Sequence, residues 1–342
     1  MSPLKSSARI RNLAIELGLG AYTDPLRAIL VHCEKQVRAA LQEFPHCVTP
    51  SQLLDALANK LGTRFEVVRT DPELRQLRKR YLDRGEKGFV RLEEELGSPD
   101  IYGITIKLKQ REFWEPDYVS VIDCRGDKAY KENYTKWHEV GHLLILTDNS
   151  RTTFRRTHCG TTDVQEPEEA LVEVIAGKFA FWSEMIRAHV TEAASFELIE
   201  EIRQKVAPEA SRQSALIGIV KAWPEPLLLV RAELGLRKSE ERAVRQGTFG
   251  FDEAPQPLLR AVHVSASESA KDRSFTIHQN MRVPQGSVIY RVFEARSGSE
   301  TAAEDLSSWE SSDGTKLPPT KVAVSARFSW EGVDALIAPR RA

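Results

Sequence analysis

Residues 137–144 read Trp-His-Glu-Val-Gly-His-Leu-Leu, and this short run constrains the chain more than any other segment. His138 and His142 stand four residues apart inside a pattern of helical period. Residues at that spacing lie about 40° from eclipsed on an α-helix, so both imidazoles project from one face. Two neutral ring nitrogens placed this way can grip one Zn2+ at ~2.1 Å, and a carboxylate between them can reach a water on the metal. Metal-assisted peptide hydrolysis uses such an arrangement. Zinc polarises the carbonyl and acidifies the water, and the carboxylate carries the proton to the leaving amine. Glu139 is therefore the expected catalytic base, and His138 and His142 the first two expected ligands.

A catalytic zinc takes a third protein ligand and keeps one position open. The residues after His142 are apolar, so no third histidine follows at short range, and a carboxylate on the next helix is the expectation. Glu166, Glu168, Glu169 and Glu173 are the candidates. The first three sit where a helix begins, and acidic residues suit the macrodipole there without further role. Glu173 shares a face with Ala176, Gly177 and Ala180, a small-residue stripe suited to close approach by the Gly141 side of the motif helix. Glu173 is thus the preferred third ligand. His158 is a weaker competitor. Cys159 and Cys124 flank the metal-bearing helices, and either thiolate could close zinc's open position in a latent enzyme.

The remaining composition excludes several classes. Lys+Arg (48) and Asp+Glu (49) nearly cancel, so no global field points to nucleic acid. Four cysteines without a CxxC pair argue against a disulfide framework. The start lacks an apolar leader and no run of ~18 apolar residues occurs. The expectation is a cytoplasmic protein with no membrane partner.

Along the chain, helices are expected over 26–44 and 51–61, then strands over 64–69, 102–108 and 118–123. The highly charged run 72–95 reads as a solvated helical insertion. The motif helix covers 129–146, a loop runs over 147–167, and another helix covers 168–189. Residues 195–236 read as helical pieces broken by Pro208, Pro224 and Pro226. A Gly/Pro-rich linker near 247–257 precedes four expected strands at 261–266, 274–278, 287–294 and 321–330. The expected class is α+β in three regions: 1–190, 191–247 and 258–342. In the last, Arg282, Arg291, Arg327, Tyr290, Trp309 and Trp330 belong to a basic and aromatic set chemically suited to single-stranded DNA.

The run WHEVGHLLIL, followed 31 residues after His142 by Glu173-Val-Ile-Ala-Gly-Lys-Phe-Ala, resembles the ImmA/IrrE metallopeptidases. Their signature is HELGH and then E-x-x-A-N-x-F-A; this chain has Gly177 where Asn is usual. The resemblance implies a zincin-like peptidase domain with His138, His142 and Glu173 on zinc and Glu139 as base. It also implies a helix-turn-helix-like middle and a GAF-like C-terminal sensor, a layout similar to CapP-type proteases of anti-phage operons. On that likeness the substrate is a helix-turn-helix transcriptional repressor, cleaved after DNA damage, with single-stranded DNA as activator. The alternative is a zinc-stabilised DNA-binding sensor without proteolytic activity, in which a carboxylate beside the metal would have no purpose.

Overall fold

The computed structural model describes residues 7–147, 153–157, 166–237, 240–242, 244, 256–311, 314–330 and 332–340. It is mixed α+β, and the chain separates into two units, 1–185 with 206–211 and 186–205 with 212–342.

In the first unit, α1 (Ala8–Glu16), α2 (Pro25–Glu43) and α3 (Pro50–Lys60) lead into the sheet. Their starts follow from local chemistry. Asp24 accepts from the Arg27 N–H at the head of α2, and Thr49 and Gln52 form a reciprocal capping box on α3. Gly62, at φ +68°, ends α3 in a left-handed turn that side chains resist, and β1 (Thr63–Val68) begins at once. After it come α4 (Asp71–Asp83) and α5 (Leu92–Leu96), then β2 (Ile101–Lys107) and β3 (Tyr118–Asp123). The charged run is more than a solvated insertion. Leu74, Leu77, Tyr81, Phe89, Leu92 and Leu96 are buried with Ile104, Ile106, Val119 and Val121 of the sheet. Its charges occupy the outer face while every third or fourth residue builds core.

The motif helix α6 (Glu132–Leu144) is preceded by a 3-10 turn over 126–131. The expected loop at 147–167 contains β4 (Thr153–Thr157), which pairs with β2. The sheet order is β1-β3-β2-β4, parallel between β1 and β3 and antiparallel elsewhere. Next follow α7 (Pro167–Phe179) and α8 (Ser183–Arg187), where one long helix was expected. α6 packs on β2 and β3 with one side and on α7 with another.

The second unit opens with α9 (Phe196–Val206) and α10 (Arg212–Ala222) and contains a five-stranded antiparallel sheet, order β6-β5-β9-β8-β7. Its strands are β5 (Leu228–Gly235), β6 (Leu258–Ala266), β7 (Ser299–Asp305), β8 (Lys321–Ser329) and β9 (Gly332–Pro339). Three expected elements are corrected here. The end of the supposed helical middle is β5, held between β6 and β9; two flanking strands override the helix propensity of Leu, Ala and Glu. The linker expected near 247–257 lies mostly outside the described residues, and β5 and β6 on either side of it pair with each other. Residues 274–278 are not a strand. After the short α11 (Glu268–Asp272), residues expected as a strand form α12 (Val288–Ala295). Ser287 caps α12, Glu304 accepts the Val288 N–H, and Val288, Ile289 and Val292 make one buried face. No helix among the described residues is long and apolar enough to cross a membrane.

Candidate metal centre

Burial of the motif follows from the position of α6 between a sheet and a helix. Trp137, Val140, Leu143 and Leu144 are buried with it, and His138, Glu139 and His142 are at most 1% exposed. Gly141 sets the approach of α7: a Cβ there would meet Val172 Cγ1 at 3.0 Å and the Val172 carbonyl oxygen at 3.4 Å. With any larger residue, the Val172 side chain would have to give by a few tenths of an ångström.

His138, His142 and Glu169 form the metal-ligating cluster found among the described residues, with donor atoms all within 4.8 Å of one another. His138 Nε2 lies 3.2 Å from Glu169 Oε2, and His142 Nε2 lies 3.6 Å from Glu169 Oε1. One carboxylate thus spans two imidazoles. Burial tends to push the Glu169 pKa up, but hydrogen bonds from His138 and His142 and their charge hold it at about 2. Burial likewise tends to lower His142, and Glu169 outweighs it and raises the pKa. Glu169 is an anion poised among groups that accept either protons or a metal cation.

The expected third ligand is corrected: the carboxylate brought to the histidines is Glu169, one turn before Glu173 on α7. The atoms of α7 nearest a Cβ at Gly141 belong to Val172 and Ile175. A Cβ on Gly177 would meet nothing within 4 Å, so the premise of a close approach there fails. With Val172 facing α6, Glu173 is turned about 100° away from it. The other helix-start acids serve elsewhere. Glu168 accepts two hydrogen bonds from Arg9 of α1, at 3.0 and 2.7 Å, which ties α1 to the first turn of α7.

Glu139 stands on the sheet side of α6. Its Oε2 accepts a 2.8 Å hydrogen bond from Thr105 Oγ1 of β2, and its Oε1 occupies the space that a Cβ on Gly103 would fill. Neither Gly103 nor Thr105 was singled out in the sequence; the alternation of small and hydroxyl residues in Tyr-Gly-Ile-Thr was the available signal.

The thiol expectations separate. Cys124 is buried after β3 with its Sγ 3.7 Å from Glu132 Oε2, outside the metal-ligating cluster. Burial and then the Glu132 charge push its pKa up to about 12. Cys159 and His158 lie outside the described residues. In the second unit the basic and aromatic set is dispersed in role. Trp309 is core, Arg291 pairs with Glu300, Arg327 lies over the Phe196 ring at 4.0 Å, and Trp330 is 89% exposed. No protein-family model matches the chain and no curated protein matches its sequence, so its chemistry is read from this site.

Proposed function

We propose that the chain is a zinc-dependent endopeptidase whose first unit is zincin-like, with His138, His142 and Glu169 on the metal and Glu139 as general base. The convergence of two imidazole nitrogens on one buried carboxylate carries this reading. The donor set fits zinc. Two imidazoles and one carboxylate offer three donor atoms within 4.8 Å of one another, the nitrogen and oxygen ligand types that zinc takes. Zinc would supply Lewis acidity, polarising the scissile carbonyl and acidifying the attacking water.

The protein's own groups do the rest. Glu139 accepts the water's proton at a carboxylate oxygen and returns it to the leaving nitrogen. Glu169 supplies the negative charge that the two neutral histidines lack. Val140, Leu143 and Leu144 are buried with the motif, and the low-dielectric surroundings strengthen each of these interactions. The likeness to ImmA/IrrE and CapP-type proteases supports a helix-turn-helix repressor as substrate, a GAF-like second unit, and single-stranded DNA as activator.

Two measurements test the assignment together. Metal analysis is expected to give about one zinc per chain, lost in Glu169→Ala and kept in Glu173→Ala. Glu139→Gln should keep zinc while cleavage of a candidate repressor, with single-stranded oligonucleotide present, falls by ~100-fold or more. A zinc-loaded Glu139→Gln that cleaves at the parent rate would remove Glu139 from the mechanism.

A further inference from the structure

A buried row of hydroxyl groups runs across the sheet behind Glu139. Thr105 Oγ1 lies 2.8 Å from Glu139 Oε2, Ser120 Oγ 2.6 Å from Thr105 Oγ1, and Thr63 Oγ1 2.9 Å from Ser120 Oγ. The three belong to the adjacent strands β2, β3 and β1, and Thr105 and Ser120 are direct partners in register. Thr63 is 4% exposed, and Ser120, Thr105 and Glu139 are fully buried.

We propose that this hydroxyl row, with Gly103 as the notch beside it, is a positioning device for the Glu139 carboxylate; the proposal rests on the metallopeptidase reading. The proton count gives the row a direction. An ionised carboxylate only accepts, so the single Thr105 proton goes to Glu139. Thr105 Oγ1 then accepts from Ser120, and Ser120 Oγ accepts from Thr63. Every O–H dipole in the row points its positive end towards Glu139, and bonds so aligned strengthen one another in a low-dielectric interior. The last bond, to a charged acceptor, is the strongest kind of hydrogen bond a neutral donor makes.

The row fixes one carboxylate oxygen from the sheet side. Gly103 fixes the other by omission: a Cβ there would stand 2.7 Å from Glu139 Oε1, closer than real Cβ atoms come to any neighbour. Bond and notch together select one orientation of the carboxylate about its terminal torsion, which by itself is broad and two-fold. A base held within about 0.5 Å of its working position is what efficient proton transfer requires. Thr105, Ser120 and Gly103 are thus positioning residues acting through Glu139.

The test uses the full chain loaded with Co2+, whose visible absorption responds to groups around the metal, together with crystal structures of the same samples. Thr105→Val keeps the shape and removes the hydroxyl; Thr105→Ser keeps the hydroxyl. Ser120→Ala removes the second link without touching Glu139, and Glu139→Gln is the reference. All variants are expected to bind about one Co2+ per chain, since no ligand is altered. Thr105→Val should shift the cobalt bands as Glu139→Gln does, and its Glu139 carboxylate should turn from the parent position by about 1 Å or more. Thr105→Ser should restore both band and position, and Ser120→Ala should give a smaller change in the same direction. A Thr105→Val protein with the parent's bands and an unmoved carboxylate overturns the positioning role, whatever its thermal stability. A parent that binds no Co2+ overturns the metal reading instead, and Ser120→Ala decides the matter if Thr105→Val fails to fold.

Discussion

Replacing Gly103 by alanine perturbs the site by a single methyl group, and the structure sets the scale of the effect. The new Cβ would lie 2.7 Å from both Glu139 Oε1 and Thr135 Cγ2, against 3.4 Å for ordinary contact. Each neighbour must therefore give by about 0.7 Å, the difference of those two distances. Thr135 is 1% exposed on α6, so its retreat moves the helix, while Glu139 can retreat only by lengthening its bond to Thr105. Overpacking of this kind costs about 1–3 kcal/mol. Weakening a hydrogen bond to a charged group adds up to ~2 kcal/mol. Removing glycine's freedom from the unfolded chain offsets roughly 0.5–1 kcal/mol. The net expectation is a loss of about 2–3 kcal/mol, or roughly 4–12 °C in melting temperature for a unit of this size. Gly177→Ala is the matched control. Its Cβ meets nothing within 4 Å on a helix, so a gain of about 0.5–1 kcal/mol is expected. Urea unfolding of metal-free protein measures both. A Gly103→Ala protein within about 0.5 kcal/mol of the parent would refute the claim that Glu139 fills the notch.

Gly141→Ala places a methyl 3.0 Å from Val172 Cγ1 and pushes α7 away from α6, so zinc affinity is expected to fall by roughly tenfold or more in a chelator competition, although no ligand changes. Acid stability provides a further check. Burial tends to raise the Asp123 pKa, but its bonds from Arg125 and Lys128 depress it below the ordinary value. A depressed carboxyl contributes stability that is fully present above its unfolded pKa of about 3.9 and is lost as pH falls through the folded value. Urea midpoints between pH 5 and 2 should therefore drop steeply for the parent and less steeply for Asp123→Asn, which starts lower; equal slopes would remove Asp123 from the account.

One helix was legible as a candidate metal site from residue spacing alone. Two histidines and a glutamate at fixed spacing share their geometry in any α-helix, because 3.6 residues per turn is a local property. Three boundaries in the first unit are equally local: Asp24 before α2, Thr49 with Gln52 at α3, and Gly62 at the turn into β1. These are contacts between residues a few positions apart, legible without knowing the fold. The third carboxylate was not. Glu169 and Glu173 are one turn apart on the same helix, and choosing between them needs the rotational phase of α7 against α6. That phase is set by Val172 and Ile175 packing on Gly141 about thirty residues earlier. The same limit applies to β5 and α12. Leu228–Gly235 carries helix formers yet lies between two strands, and Val288–Ala295 carries strand formers yet is capped by Ser287 and anchored by Glu304. The support for Glu139 is the fullest case. Thr63, Gly103, Thr105 and Ser120 are unremarkable residues in the sequence, scattered over three strands. Only strand pairing brings their hydroxyls within hydrogen-bond distance and puts the missing Cβ of Gly103 opposite the carboxylate. Local spacing decides which groups are chemically able, and tertiary packing decides which of them meet.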